Sequence, residues 1–357
     1  MTRSPARNWR WHAFRRWAAL GVASTLLATS SASSGAVDLA GYASGTWAPG
    51  SWAPGSWAPT NPVASTAVAV TSDVSGASLS TSSDVGSTPD TWSLAGVIKN
   101  VPFARPVGCE LADCSVQLDM FIPAGTGPFR TAVMVRGGPT GPGGRHYVEP
   151  LVEELVGEGF IVFNADYRDI AATGGGYPAA FEDVACAVRF ARTWSSAYGG
   201  DSQTVTLVGH SLGGYVGSVL ALGSQKFQGG CPSTVSGRPD AFVGLAGNYD
   251  LTASSVANDL TKFFGGDATE TAEARAESDP FADVTAASIP VRLIAGTADH
   301  TVNPAAAVSL DDYLTQRLWN VKLTLIPNAT HDTIIRPTGD GPISARVVLE
   351  ASKSASG

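Results

Sequence analysis

Residues 204–219 read TVTLVGHSLGGYVGSV, with Ser211 at the centre of a Gly-x-Ser-x-Gly arrangement. Thr204 to Val208 is a short apolar run of strand type, and the residues from Leu212 read as a helix. This is the strand–turn–helix context in which the motif lifts a serine hydroxyl above a sheet edge. A hydroxyl is a poor nucleophile at its own pKa, so it needs a base, and the base needs an orienting acid. Two residues further along suit those roles. Asp299 ends VRLIAGTAD and His331 ends VKLTLIPNATH, each just past a strand-type run. In this assignment His331 takes the proton of Ser211 and returns it to the leaving group, while Asp299 fixes the imidazole tautomer and stabilises the imidazolium. Asp332 competes for the acid role, but it adjoins His331 and cannot easily reach behind its neighbour's ring; His300 competes for the base role but adjoins Asp299.

The same chemistry needs N–H donors where negative charge develops on the substrate oxygen. The Leu212 backbone N–H, at the start of a helix, is one. The second is expected from the glycine-rich run RGGPTGPGGRH (136–146), which follows another strand-type segment. Pro139 has no N–H, which favours Gly138, with Gly137 behind it. Arg136, Gly137 and His210 are further candidates for the pocket, as are Asn248 and Tyr249, which open a later insert. The glycine run is not a phosphate loop, since no Gly-Lys-Ser/Thr follows, and no dinucleotide fingerprint is present. No histidine or cysteine spacing suggests a metal site, so neither metal nor cofactor is expected.

The elements that must position these residues alternate regularly. Strands are predicted at 92–99, 115–123, 131–136, 159–167, 204–208, 241–245, 291–296 and 321–327. Helices are predicted at 147–157, 179–196, 212–223, 305–317 and 341–352. Apolar strands separated by helices predict an α/β chain with a mostly parallel central sheet covered on both faces. Ligands then sit at the carboxyl ends of the strands, where Ser211, Asp299 and His331 all fall. Residues 263–280, FFGGDATETAEARAESDP, predict a small helical cap with a turn at Gly265-Gly266.

With these pieces in order, residues 131–336 resemble the secreted carboxylesterase and lipase group of the α/β-hydrolases, of BD-FAE-like or dienelactone-hydrolase-like type. The resemblance is carried by RGGP (136–139), ADYR (165–168), YPAAFEDVACAVRF (177–190), GHSLGG (209–214), GTAD (296–299) and ATHD (329–332). It implies an α/β-hydrolase fold and a serine carboxylic-ester hydrolase acting through an acyl-enzyme on small to medium esters. It also implies that Asp166, Tyr167 and Arg168 form a structural turn beneath the oxyanion loop, anchored by Asp183. Two positions depart from the group's pattern: Arg136 stands where a histidine is usual, and Pro139 where a third glycine is usual. The Gly-Gly-Pro form resembles prolyl-oligopeptidase-type peptidases, so a serine peptidase or amidase stays open. So does a non-enzymatic wall- or glycan-binding protein.

The rest of the chain bears on where this chemistry would take place. Residues 1–32 carry five arginines and no acid, then the apolar run WAALGVASTLLA and small residues. That is the pattern of a secretory signal, with cleavage expected after Ala32 and the Arg15-Arg16 pair compatible with twin-arginine export. Its removal moves the formal charge from −8 to −13, which argues against nucleic acid as a partner. Residues 33–90 read as a linker, and 91–357 as the catalytic domain. Within the linker, GTWAPGSWAPGSWAPT repeats a Trp-Ala-Pro-Gly unit whose Trp47, Trp52 and Trp57 offer a weak polysaccharide contact. An exported chain can form disulfides; Cys109 and Cys114 suit a small loop, whereas Cys186 and Cys231 read equally as partners or as free thiols. Asn328-Ala329-Thr330 is a formal glycosylation sequon.

Overall fold

The computed structural model describes residues 94–105, 116–223, 226–227, 229–285 and 287–357. The leader at 1–32, the linker with Trp47, Trp52 and Trp57, the boundary at 91, and Cys109 and Cys114 lie outside the described residues.

Among the described residues eight strands form one sheet: β1 (Leu94–Ala104), β2 (Val116–Pro123), β3 (Phe129–Val135), β4 (Phe160–Ala165), β5 (Gly200–His210), β6 (Ala241–Leu245), β7 (Val291–Gly296) and β8 (Val321–Ile326). Their spatial order is β1-β2-β4-β3-β5-β6-β7-β8. β1 and β2 are antiparallel to their neighbours, whereas β3 through β8 run parallel. Each parallel crossover carries its helix over one face, which is why β4 and β5 read as nearly unbroken apolar runs. β4 is buried throughout, and β5 from Val205 onward.

Seven helices occur among the described residues: α1 (Glu149–Gly157), α2 (Ala179–Trp194), α3 (Leu212–Leu222), α4 (Ala257–Phe264), α5 (Ala272–Glu277), α6 (Ala305–Thr315) and α7 (Gly341–Ala355). Two apolar layers result. One joins α2, α3 and α6 to one face of the sheet, through residues such as Phe163, Phe181, Tyr215, Phe242 and Leu310. The other joins α1 and α7 to the opposite face, through Val152, Leu155, Val162, Val243 and Val348. The expected cap is the pair α4 and α5. The first ends at Gly265 in left-handed conformation (φ 83°), so the predicted turn stands. Among the described residues no helix is long and apolar enough to cross a membrane.

Cys186 on α2 is bonded to Cys231, with Cα atoms 5.3 Å apart. The bridge spans 45 residues of sequence, worth about 4 kcal/mol in the chain-entropy account of cross-linking. It ties the long connection between α3 and β6 to the helix beneath it.

Candidate active site

The turn after β5 explains why Ser211 stands proud. Ser211 has φ 55° and ψ −120°, a conformation that costs a non-glycine residue about 1–3 kcal/mol. It is held there from both sides: its N–H donates to Leu245 O (2.9 Å), and its carbonyl accepts from Tyr215 N–H (3.1 Å). The crossing is too tight for side chains at the flanking positions. A Cβ on Gly209 would lie 2.3 Å from Gly213 O, and one on Gly213 would lie 2.3 Å from Arg136 O. Ser211 itself is half-buried, at the foot of α3, where the first helical N–H groups, Leu212 among them, have no partner within the helix.

β7 and β8 deliver the other two residues to the same edge. Asp299 is buried, 6% exposed. Its Oδ1 accepts from Thr301 N–H (2.8 Å) and Val302 N–H (2.9 Å), while its Oδ2 accepts from His331 Nδ1 (2.8 Å). Burial works against its negative charge, but the His331 contact and the two backbone donors outweigh it and hold the carboxyl below its ordinary range. A bond at Nδ1 leaves Nε2 as the nitrogen able to take a proton from a nucleophile. Ser211 Oγ and His331 form no hydrogen bond in this structure, a contact that in hydrolases often tightens only around substrate. The competitors are turned elsewhere: Asp332 accepts from Tyr147 OH, and His300 is exposed.

His210 packs inward against His331. It is 1% exposed, its ring centroid lies 4.7 Å from that of His331, and its Nε2 donates to His331 O (3.0 Å). It therefore pins the backbone that carries His331. Burial, reinforced by the neighbouring imidazole of His331, pushes its pKa down to about 4. This predicts an acid limb in the stability profile. Above pH 6.5 both folded and unfolded chains hold His210 neutral. Between pH 6.5 and 4 only the unfolded chain takes up the proton, so stability falls with falling pH, by about 3 kcal/mol once pH 4 is passed. Urea unfolding at pH 7 and pH 4.5 should show a smaller loss in His210→Gln than in the parent, and equal losses would refute this.

The loop between β3 and α1 is shaped by charge. Arg136, a pocket candidate on sequence, is wholly buried in a web of bonds. Its Nε donates to Asp166 Oδ1 (3.0 Å), Nη1 to Gly137 O (2.8 Å) and Asp169 Oδ2 (2.7 Å), and Nη2 to Gly141 O (2.7 Å) and Tyr167 O (3.3 Å). Asp169 also accepts from Thr140 and Gly141 N–H, and Asp166 from Gly143 and Arg145 N–H. Arg145 in turn pairs with Asp166 and Asp119. The turn at 166–168 thus lies beneath the loop, and Asp183 anchors it by accepting from Arg168 N–H (3.0 Å), Nε (2.8 Å) and Nη2 (2.8 Å). Asp169 and Arg145 had no place in the sequence reading. The available signal was the second acid in ADYRD, three residues beyond Asp166.

Gly137 stands beside the elbow: a Cβ there would lie 2.9 Å from Ser211 Cβ and 3.4 Å from Ser211 Oγ. Gly138 instead abuts the side chains of Asp169 and Arg136. Asn248 and Tyr249 line a cavity of about 300 Å³ between the loop after β6 and the start of α6, together with Asp250, Phe281, Val302 and Asn303. Val302 links that cavity to Asp299, whose carboxylate its N–H caps.

Comparison with known proteins agrees with this architecture. The chain is 28% identical over 102 residues to Esterase LipC of Mycobacterium tuberculosis, covering 28% of this chain and 25% of that protein. It is 27% identical over 139 residues to a probable isoprenylcysteine alpha-carbonyl methylesterase, ICMEL1, of Arabidopsis thaliana, covering 38% of this chain and 29% of the relative. The matches thus span less than a third of these curated relatives. Among solved structures, a truncated carbohydrate esterase from gut microbiota superposes with TM-score 0.59 at 18% identity, covering 75% of this chain and all of that one. Esterase 2 of Thermogutta terrifontis does so with TM-score 0.55 at 19% identity, covering 71% and 91%. These likenesses show an α/β-hydrolase fold. A family model described as BD-FAE matches residues 118–314, more than half of the chain and the sheet from β2 to β7, and the chain belongs to the BD-FAE family.

Proposed function

We propose that this protein is a serine carboxylic-ester hydrolase that acts through an acyl-enzyme on small to medium esters. The observation that carries the reading is the shared sheet edge. A strained, half-buried Ser211 follows β5, and a His331–Asp299 pair bonded at 2.8 Å follows β8 and β7. In this reading Ser211 Oγ attacks the ester carbonyl as its proton passes to His331 Nε2. The Leu212 and Gly138 N–H groups hold the resulting oxyanion. The tetrahedral intermediate collapses, the C–O bond to the alcohol breaks, and the imidazolium protonates the departing oxygen. Water, deprotonated by the same imidazole, then releases the acid and restores Ser211. Asp299 stays ionised throughout and stabilises the imidazolium.

Names among the relatives support an ester substrate: an esterase and a methylesterase by sequence, and carbohydrate esterases by fold. Esterase 2 of Thermogutta terrifontis has also been solved phosphoramylated by tabun, a modification that supports serine chemistry in this fold. The modest cap, formed by the short helices α4 and α5, suits small or medium esters better than long-chain ones. The arginine-rich leader at 1–32 supports an exported enzyme.

The test is turnover of a p-nitrophenyl ester series from acetate to palmitate by the full chain. A maximum at short chains is expected. Rates that rise toward palmitate would refute the size class. Turnover of peptide p-nitroanilides without any ester turnover would replace the reading with the peptidase one.

A further inference from the structure

Arg136 is a buried cation with no assigned task, and one of its bonds fixes the peptide group between Gly137 and Gly138. In a trans peptide the C=O and N–H point in opposite directions. The Arg136 carbonyl accepts from Tyr167 OH (3.1 Å) and lies over Gly213, where a Cβ would approach it to 2.3 Å. The Gly137 N–H, on the other side of that peptide, is therefore turned away from the start of α3. The Gly137 carbonyl accepts from Arg136 Nη1 (2.8 Å). The Gly138 N–H, in the same peptide, is therefore turned away from the guanidinium and the carboxylates around it.

We propose that Arg136 is a positioning residue for the oxyanion site: its guanidinium grips the Gly137 carbonyl, fixes the 137–138 peptide so that the Gly138 N–H serves as donor, and polarises that N–H. The inference rests on the ester-hydrolase reading above. All five guanidinium donors are used, against Asp166, Asp169 and three backbone carbonyls, so the group has one orientation. A charge-assisted bond to a carbonyl strengthens the donor at the far end of the same amide, and a low-dielectric interior preserves the effect. Burial opposes the charge on Arg136, but Tyr167, Asp169 and Asp166 around it overcome the penalty and raise its pKa above the ordinary value. The cation therefore persists at every pH at which the protein is folded, an advantage over the histidine usual at this position, which titrates near neutrality.

The experiment compares the native protein with Arg136→Lys. Lysine keeps the charge but has three donors and no planar fork. The first arm is labelling of Ser211 by an organophosphate and turnover of p-nitrophenyl acetate by the native protein. If both fail, the ester-hydrolase reading falls, independently of any variant. With that arm positive, Arg136→Lys should lower kcat by about 100-fold and change KM by less than about threefold. The inhibition constant of a trifluoromethyl ketone, whose hemiketal carries an oxyanion, should rise in proportion to the loss in kcat/KM. A folded variant with unchanged kcat would overturn the proposal, and so would one whose kcat falls while ketone binding is unaltered. Should Arg136→Lys not fold, the native protein labelled with 15N-glycine decides. The Gly138 amide proton should move downfield when the ketone binds, and a Gly137 proton that moves in its place would overturn the assignment.

Discussion

Ser211→Ala is expected to lower kcat for p-nitrophenyl acetate by about 10⁶-fold with KM little changed, the size of effect seen when a hydrolase loses a nucleophile that acts as one unit with its base. The fold should survive, because nothing in the core depends on the hydroxyl. The backbone at this position adds a second, independent signature. Ser211 is held at φ 55° by the Leu245 and Tyr215 bonds, and alanine is as strained there as serine. Glycine is not. Ser211→Gly should therefore be equally inactive yet more stable than the parent, by about 1 kcal/mol, measured as a higher urea midpoint. A gain in stability at the cost of all activity is what a nucleophile elbow predicts. A merely structural serine at this backbone predicts the same gain for glycine but residual activity in both variants. Activity retained in Ser211→Ala would end the covalent reading.

The chain disclosed Ser211, Asp299 and His331 because each closes a strand-type run, and a parallel sheet brings the carboxyl ends of its strands to one edge. The helices were legible within a few residues for the same reason of periodicity. β5 was not fully legible: it starts at Gly200, four residues before the apolar run, because Asp201, Ser202 and Gln203 are polar and not buried. The partners of Arg136 were not legible, because a buried arginine is rare. Here two carboxylates reach it from 30 and 33 residues away, a distance that local pattern does not span. Asp169 was missed for a related reason. Besides Arg136, its partners are the backbone N–H groups of Thr140 and Gly141, which leave no mark in side-chain identity. The pairing of Cys186 with Cys231 was likewise open until α2 and the connection before β6 were placed side by side.

Asp299→Asn is expected to lower kcat by about 10⁴-fold, and the reason is the direction of a hydrogen bond more than the loss of a charge. Oδ1 of Asp299 is already committed to the N–H groups of Thr301 and Val302, so an asparagine must keep its carbonyl oxygen there. Its NH₂ then faces His331 Nδ1. Two donors cannot share that contact, so the imidazole shifts its proton to Nε2, the nitrogen that must be empty to accept the proton of Ser211. The backbone bonds are kept and the variant should fold. Asp332→Asn is the matched control, since Asp332 is turned toward Tyr147 and its loss should change kcat by less than about tenfold. Measured side by side on one short-chain ester, the two variants separate the candidates for the acid. A larger loss in Asp332→Asn would hand the role to the neighbour of His331 and require the loop at 329–335 to rearrange before catalysis.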